Sequence, residues 1–271
     1  MAWNKIVTSD IVIQRCIEQL GLYQLMNRSY DPLVMPGATS VRRPLLANLV
    51  VRKNTGAGPL DSSRKKSKAD TTMVETSLDT YAVGIFNEMA AQFESNDALL
   101  REYEISMALQ LGQQFDLDCI TAADQTSNKI ETAASGVFAW KDIIKMIATM
   151  DKNLVPRDNR VFVIPSELEA QFWDIDVIKQ AAAYNSTILT NGKIIDFMEM
   201  KFFITGNAPK VSTKDAVRLI YGPGLAFILS HSGQIEETYD PTNIGKVYDM
   251  LAHGAAALDD DRFAVVMTLK A

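Results

Sequence analysis

The stretch TSVRRPLLANLVVRKNTGAGPLDSSRKKSKADTTMVETSLDTYAVGIF, residues 39–86, decides how the rest of the chain is read. From residue 39 to 53 apolar and polar positions nearly alternate, with Val41, Leu45, Ala47, Leu49 and Val51 on one side and Arg42, Pro44, Asn48 and Arg52 on the other. That period of two predicts a strand, and Pro44, which has no N–H to give to a ladder, assigns it to a sheet edge. Residues 54–70 hold one leucine among Gly, Ser, Pro, small and charged residues, the composition of a loop tip. Residues 71–86 return as a strand rich in Thr, Val, Tyr, Ile and Phe. Together they predict a long β-hairpin with a polar, basic tip. An isolated two-stranded ribbon is marginal in water, so this one needs something to lie on, and the first feature of the sequence points to assembly.

The same stretch carries the charge asymmetry of the chain. Arg42, Arg43, Arg52, Lys53, Arg64, Lys65, Lys66 and Lys68 stand against Asp61 alone, a local charge of +7, which leaves −13 on the remainder of a chain whose total is −6. A basic segment on an acidic body seeks either nucleic acid or the acidic body of another copy. Working outward, the chain has 271 residues, 47% apolar, with 33 acidic and 27 basic residues and two cysteines. That composition excludes disordered, collagenous and disulfide-scaffold classes. No 18 consecutive apolar residues occur, so no membrane partner is expected, and Asp10, Gln14, Arg15 and Glu18 interrupt any secretory core near the start. Cys16 and Cys119 lie on apolar periodic faces and read as buried thiols of a reducing compartment.

The rest reads as α+β. Residues 10–26 predict an amphipathic helix with a weak point at Gly21. After the capping cluster Ser95-Asn96-Asp97, Leu100, Tyr103, Met107, Leu111 and Phe115 recur at helical spacing to about Ala123, a rod of about 40 Å. Trp140, Ile143, Ile144, Ile147, Met150 and Leu154 mark a second helix, stopped at Val155-Pro156. RVFVI (160–164) reads as a short buried strand, and Pro165-Ser166 opens another helix. Residues 174–192 fit a loop or short helix, 193–205 and 216–221 are strand regions, and 248–258 with 262–269 look like an antiparallel pair around Asp259-Asp260-Asp261.

Chemistry is sparse. The two histidines, His231 and His253, sit in no metal-ligand spacing, and neither a Gly-x-Gly-x-x-Gly nor a Walker A sequence occurs. Ser62-Ser63-Arg64-Lys65 matches Ser-x-x-Lys only as chance allows in a basic tip. Asn27-Arg28-Ser29 and Asn185-Ser186-Thr187 are sequons without a secretory signal, and the three aspartates read as a solvated turn rather than a cation site. No catalytic residue, cofactor or metal is expected.

In order along the chain, IVIQRCIEQLGLYQLMN, the hairpin ending in VETSLDTYAVGIF, FESNDALLREYEISMALQLGQQFDLDCITAA, WKDIIKMIATMDKNLVPRDNRVFVIPSELEAQFW, GKIIDFMEMKFFITGNAP, YGPGLAFIL, VYDMLAHGAAAL and DRFAVVMTL resemble the major capsid proteins of tailed phages with the Hong Kong 97 type fold. The resemblance is colinear over most of the chain. It implies an N-terminal arm (1–36), an extended loop (37–86), a peripheral domain with its spine helix (87–125), an axial domain (126–250) and C-terminal strands returning to the peripheral domain (251–271). It also implies hexamers and pentamers closing into an icosahedral shell around double-stranded DNA, in a virion assembled in the host cytoplasm, with a portal. The arm begins almost at Met1, so a scaffolding protein is expected to be separate, and no loop lysine aligns with a covalent crosslink. The loop cations Arg42, Arg43, Arg52, Lys53, Arg64, Lys65, Lys66 and Lys68 are then expected at intersubunit contacts. The alternatives are a bacterial nanocompartment shell protein of the same fold and a nucleic-acid-binding protein using residues 42–68.

Overall fold

The computed structural model describes residues 21–34, 38–46, 71–88, 97–184, 194–197, 200–242 and 245–270. The helix expected from residue 10 therefore lies mostly outside the described residues; its described end is a 3-10 turn, Leu22–Leu25, directly after Gly21. Cys16, Arg52, Lys53, Arg64, Lys65, Lys66 and Lys68 also lie outside them.

Among the described residues, three sheets organise the subunit. β1 (Ser40–Leu46) and β2 (Thr71–Ser77) pair antiparallel as a two-stranded ribbon. β3 (Asp79–Glu88), β10 (Gly245–Leu258) and β9 (Leu225–Asp240) form an antiparallel sheet with β10 in the middle. The third sheet runs β4 (Lys129–Ser135), β11 (Ala264–Lys270), β8 (Ala216–Tyr221), β5 (Arg160–Pro165), β7 (Met200–Thr205), β6 (Ile194–Phe197). The α-helices among the described residues are α1 (Asp97–Ala123), α2 (Trp140–Lys152), α3 (Glu169–Trp173) and α4 (Asp176–Tyr184).

The sequence RVFVIP contains no outward-facing polar alternation because its strand is covered on both sides. Phe162 and Ile164 join Ile143, Met146 and Met150 of α2 and Phe172 and Ile178 beyond it in one core, where the Phe162 and Phe202 rings stack at 4.7 Å. Val161 and Val163 face the other way, into a second core with Met107, Leu111, Phe115, Cys119 and Ile120 of α1 and with Phe227, Met250 and Ala252 of the three-stranded sheet. The spine helix is thus wedged between two sheets. Its C-terminal end is tied down by Arg218 on β8: Nε and Nη2 donate to the two carboxylate oxygens of Asp124, each at 2.8 Å, from a side chain that is fully buried. Such a two-pronged pair fixes direction as well as distance.

Several expectations change. Tyr103 is 48% exposed although it shares the helical face of Met107, Leu111 and Phe115, which are buried; the side chain of Leu100 lies outside the described residues. Helical spacing says which residues share a face, while burial begins only where the sheets cross the rod. On α2, Ile144 is exposed and Met146 takes the core position; Leu154 stands in solvent at positive φ, outside the helix. The strand expected over 71–86 breaks at Leu78, with β2 in the ribbon and β3 in the three-stranded sheet.

The expected C-terminal pair is also wrong. β10 has both edges taken by β3 and β9, so β11 crosses to the six-stranded sheet, antiparallel to β8 and parallel to β4. The 3-10 turn Asp261–Phe263 makes the crossing, with Phe263 packed 2.3 Å from where a Cβ on Gly224 would be. In consequence β9 and the whole of β10 share a sheet with β3, and 264–270 lies in the six-stranded sheet.

Leu111 is 4% exposed at the centre of the second core. Leu111→Asp would bury an unpaired charge, and soluble expression with circular-dichroism melting is expected to find no folded soluble protein; unchanged melting would mean that this face of α1 is not buried.

Candidate intersubunit surface

The ribbon has two unlike faces, set by its register. Arg42 pairs with Glu75 and Pro44 with Met73, and all four side chains point outward; Arg42 and Met73 are 71% and 62% exposed. Glu75 accepts from the Ser40 hydroxyl at 2.8 Å and from Arg42 Nε at 3.1 Å. The Ser40 hydroxyl first and the Arg42 charge second hold its carboxyl below the usual carboxylate range.

The other face carries Arg43, Val74 and Thr76, and here the grouping of Arg43 with the loop cations as an intersubunit contact fails. Arg43 is 2% exposed within its own subunit. Its Nη1 donates to the Asp259 carboxylate, its Nη2 donates to Thr76 Oγ1 at 2.9 Å, and its guanidinium lies over the Tyr30 ring at 5.6 Å. A side chain with Arg43's parity in the alternation faces inward once the ribbon has a body to lie on. Of the sequence-predicted loop cations, Arg42 is therefore the one that the described structure leaves on the outer face.

Around this ion pair the root of the ribbon is stitched to the body. Leu78 N donates to Thr39 O at 2.9 Å; His253 Nε2 lies 3.0 Å from Ala38 O and its Nδ1 3.1 Å from Thr80 Oγ1. Leu78, Ala226, Ile228 and Ala255 form a small third core, with Tyr30, Val34, Ala38 and Val41 packed on it. The N-terminal segment is laid across the start of β9: Asn27 N donates to Leu225 O and Phe227 N to Asn27 O, both at 3.0 Å. Gly222 permits that crossing, since a Cβ there would sit 2.5 Å from Leu25 O.

The aspartate run, expected as a solvated turn, is instead engaged residue by residue. Asp259 holds Arg43, Asp260 accepts from Arg262 N at 2.9 Å and Nε at 3.0 Å, and Asp261 Oδ2 accepts from Ser127 Oγ at 2.8 Å. Burial pushes the Asp259 carboxyl up, against the downward pull of Arg43. Among the described residues no three His, Cys, Asp or Glu side chains gather as a metal-ligating group. Tyr30, Asp259 and His253 were not legible as parts of one site, because only their partners' places in the sheets bring them together.

Removing one member of a buried pair is expected to cost about 3–5 kcal/mol, so Arg43→Met should destabilise the subunit strongly in denaturant titrations at neutral pH, whereas Arg42→Ala should cost about 0–1 kcal/mol. With Arg43 gone, Asp259 keeps a folded-state pKa above its unfolded value. The Arg43→Met subunit should then be most stable below the ordinary aspartate range and lose stability as pH rises through the raised value. Arg43→Met with Asp259→Asn should abolish that slope.

No protein-family model matches the sequence, and no curated protein does. Solved structures do. A structure from Mycobacterium phage Che8 superimposes with a TM-score of 0.68 at 16% identity, covering 98% of each chain. The capsid structure of the Cyanophage P-SCSP1u gives 0.62 at 12% identity, covering 98% of this chain and 93% of that one. A virus-like particle from Pyrococcus furiosus gives 0.60 at 7% identity, covering 92% of each. At these identities it is the architecture that is shared, over nearly the whole length of each chain. The chain has the fold of a tailed-phage major capsid protein.

Proposed function

We propose that this chain is a major capsid protein, many copies of which close as hexamers and pentamers into an icosahedral phage head around double-stranded DNA, with no catalytic turnover. The observation that carries the reading is the β1–β2 ribbon. Its strands pair with each other outside both larger sheets, its root is locked by a buried ion pair, and its outer face presents Arg42, Pro44 and Met73 to solvent. A monomer gains little from a rigidly mounted strand pair with a bare outer face; a shell gains an interface at every copy. The capsid fold supports the same conclusion.

The nanocompartment alternative is the weaker one. The superposition on the structure from Mycobacterium phage Che8, over 98% of each chain, favours the phage reading. Direct nucleic-acid binding by residues 42–68 is weakened by Arg43, which is turned into the subunit. A separate scaffolding protein and a portal complete the proposed set of partners, and the virion is the proposed location.

Purified protein, alone or with a scaffold, is expected to form rings, shells or tubes by light scattering and electron microscopy. A homogeneous monomer of 30.0 kDa at high concentration would refute the reading. Replacing Arg64, Lys65, Lys66 and Lys68 together by Ser should leave melting of the subunit nearly unchanged while weakening assembly, because exposed charges contribute about 0–1 kcal/mol to their own domain but recur at every interface. Raising salt should mimic the variant as the Debye length falls below about 8 Å. Normal assembly with loss only of DNA affinity would instead place the tip against the genome.

A further inference from the structure

Around β4, at one end of the six-stranded sheet, lysines gather from four elements. Lys145 of α2 donates from Nζ to Glu131 O at 2.9 Å, and Lys214 Nζ lies 3.1 Å from Glu131 Oε1. Lys141 lies one turn along α2 from Lys145, and Lys129 two residues before Glu131 on β4. Lys270, at the end of β11, gives its backbone N–H to Thr132 Oγ1 at 3.0 Å, and Lys210 bridges Asp215 at 3.1 Å in the segment that leads into β8. Lys214 is half-buried and the other five are exposed. The acids that these lysines bridge are Glu131 and Asp215; Asp142 of α2 is buried and accepts from the N–H groups of Ala133 and Ala139. The sector is cationic on a chain that carries −13 outside its basic loop.

Two of the lysines stand on a fixed platform between β7 and β8. Asn207 Nδ2 donates to Gln113 O of α1 at 3.1 Å, the buried Arg218 donates to Pro209 O, and Asp215 O accepts from Leu269 N at 3.1 Å. Between Lys210 and Lys214 the backbone reverses at Ser212 and Thr213, both exposed and both at positive φ, 50° and 69°. Asn-Gly is the usual choice for such a turn, and a β-branched residue in that conformation is strained. The turn thus holds two hydroxyl residues at the surface against their backbone preference.

We propose that this sector is the face that the subunit turns to the phosphate backbone of the enclosed double-stranded DNA; the proposal rests on the shell reading above. That all six cations are lysine favours nucleic acid over a second copy of the chain. Protein–protein interfaces are depleted in lysine and enriched in arginine and aromatic residues, whereas sequence-independent phosphate contacts are made by lysine point charges and by serine and threonine hydroxyls. β4 runs about 20 Å from Lys129 to Ser135, the register partner of Lys270, and that is the span of about six phosphates along one DNA strand. Lysine on an edge strand also discourages strand addition, yet Lys129 alone of the six sits on β4; the others come from α2, β11 and the β7–β8 segment.

Subunits in which Arg64, Lys65, Lys66 and Lys68 are all replaced by Ser, so that the loop tip does not itself bind DNA, would be titrated with a duplex of about 20 base pairs between about 50 and about 200 mM salt. Lys145→Gln, Lys210→Gln and Lys214→Gln together should lower the slope of log K against log salt by about 2–3, at about 0.9 per phosphate contact, and weaken binding about tenfold at the lower salt, with melting unchanged. An equal loss from Lys152→Gln, Lys179→Gln and Lys201→Gln, elsewhere on the body, overturns the proposal. A second arm uses heads filled with DNA and the same heads emptied by osmotic shock. Acetylation of Lys145, Lys210 and Lys214, read by peptide mass spectrometry, should be several-fold slower in the filled heads. Equal, fast acetylation in both overturns the DNA contact, and protection in both overturns it in favour of a second copy; the shell reading stands in either case. Absence of any particle overturns both.

Discussion

Everything else in the subunit depends on the burial of the six-stranded sheet on both faces. β5 contributes Val161 and Val163 to one core and Phe162 and Ile164 to the other, so a single four-residue run joins the α2 side of the molecule to the spine-helix side. With apolar burial worth roughly 25 cal/mol per Å², two cores sharing one sheet hold α1 and the three-stranded sheet at a fixed orientation to the rest. A sheet covered on one side only would leave the spine helix without a second wall.

On this frame the buried cations among the described residues, Arg43, Arg160 and Arg218, each have a distinct partner. Arg218 clamps the residue that follows the spine helix. Arg160, fully buried at the start of β5, donates to Asp151 Oδ1 and Val155 O at 2.6 Å and to Pro156 O at 2.8 Å, closing the loop between α2 and β5. Arg43 fixes the ribbon to the turn after β10. All three sit at joints between elements. Guanidinium suits that task because its planar fork binds several oxygens in fixed directions and keeps its charge when buried.

The ribbon has no comparable second cover. Among the described residues its outer face, with Arg42, Pro44 and Met73, stays exposed while Arg43 anchors the inner face to the body.

Much of this was readable from local pattern. The hairpin, the 27-residue spine helix and the buried RVFVI strand follow from periodicity, proline placement and capping residues, which are properties of adjacent residues. The capsid fold followed from the order of those pieces. What local pattern could not supply was the identity of partners distant in sequence. It paired 248–258 with 262–269 because they are neighbours in the chain, and it placed Arg43 among exposed loop cations because its neighbours are basic. Tertiary structure decided otherwise: β10's two edges were already filled, and Asp259 lay where the ribbon's inward face came down. Periodicity determines which face a side chain takes, but which surface meets that face depends on how the sheets stack, and that is settled only when both cores close.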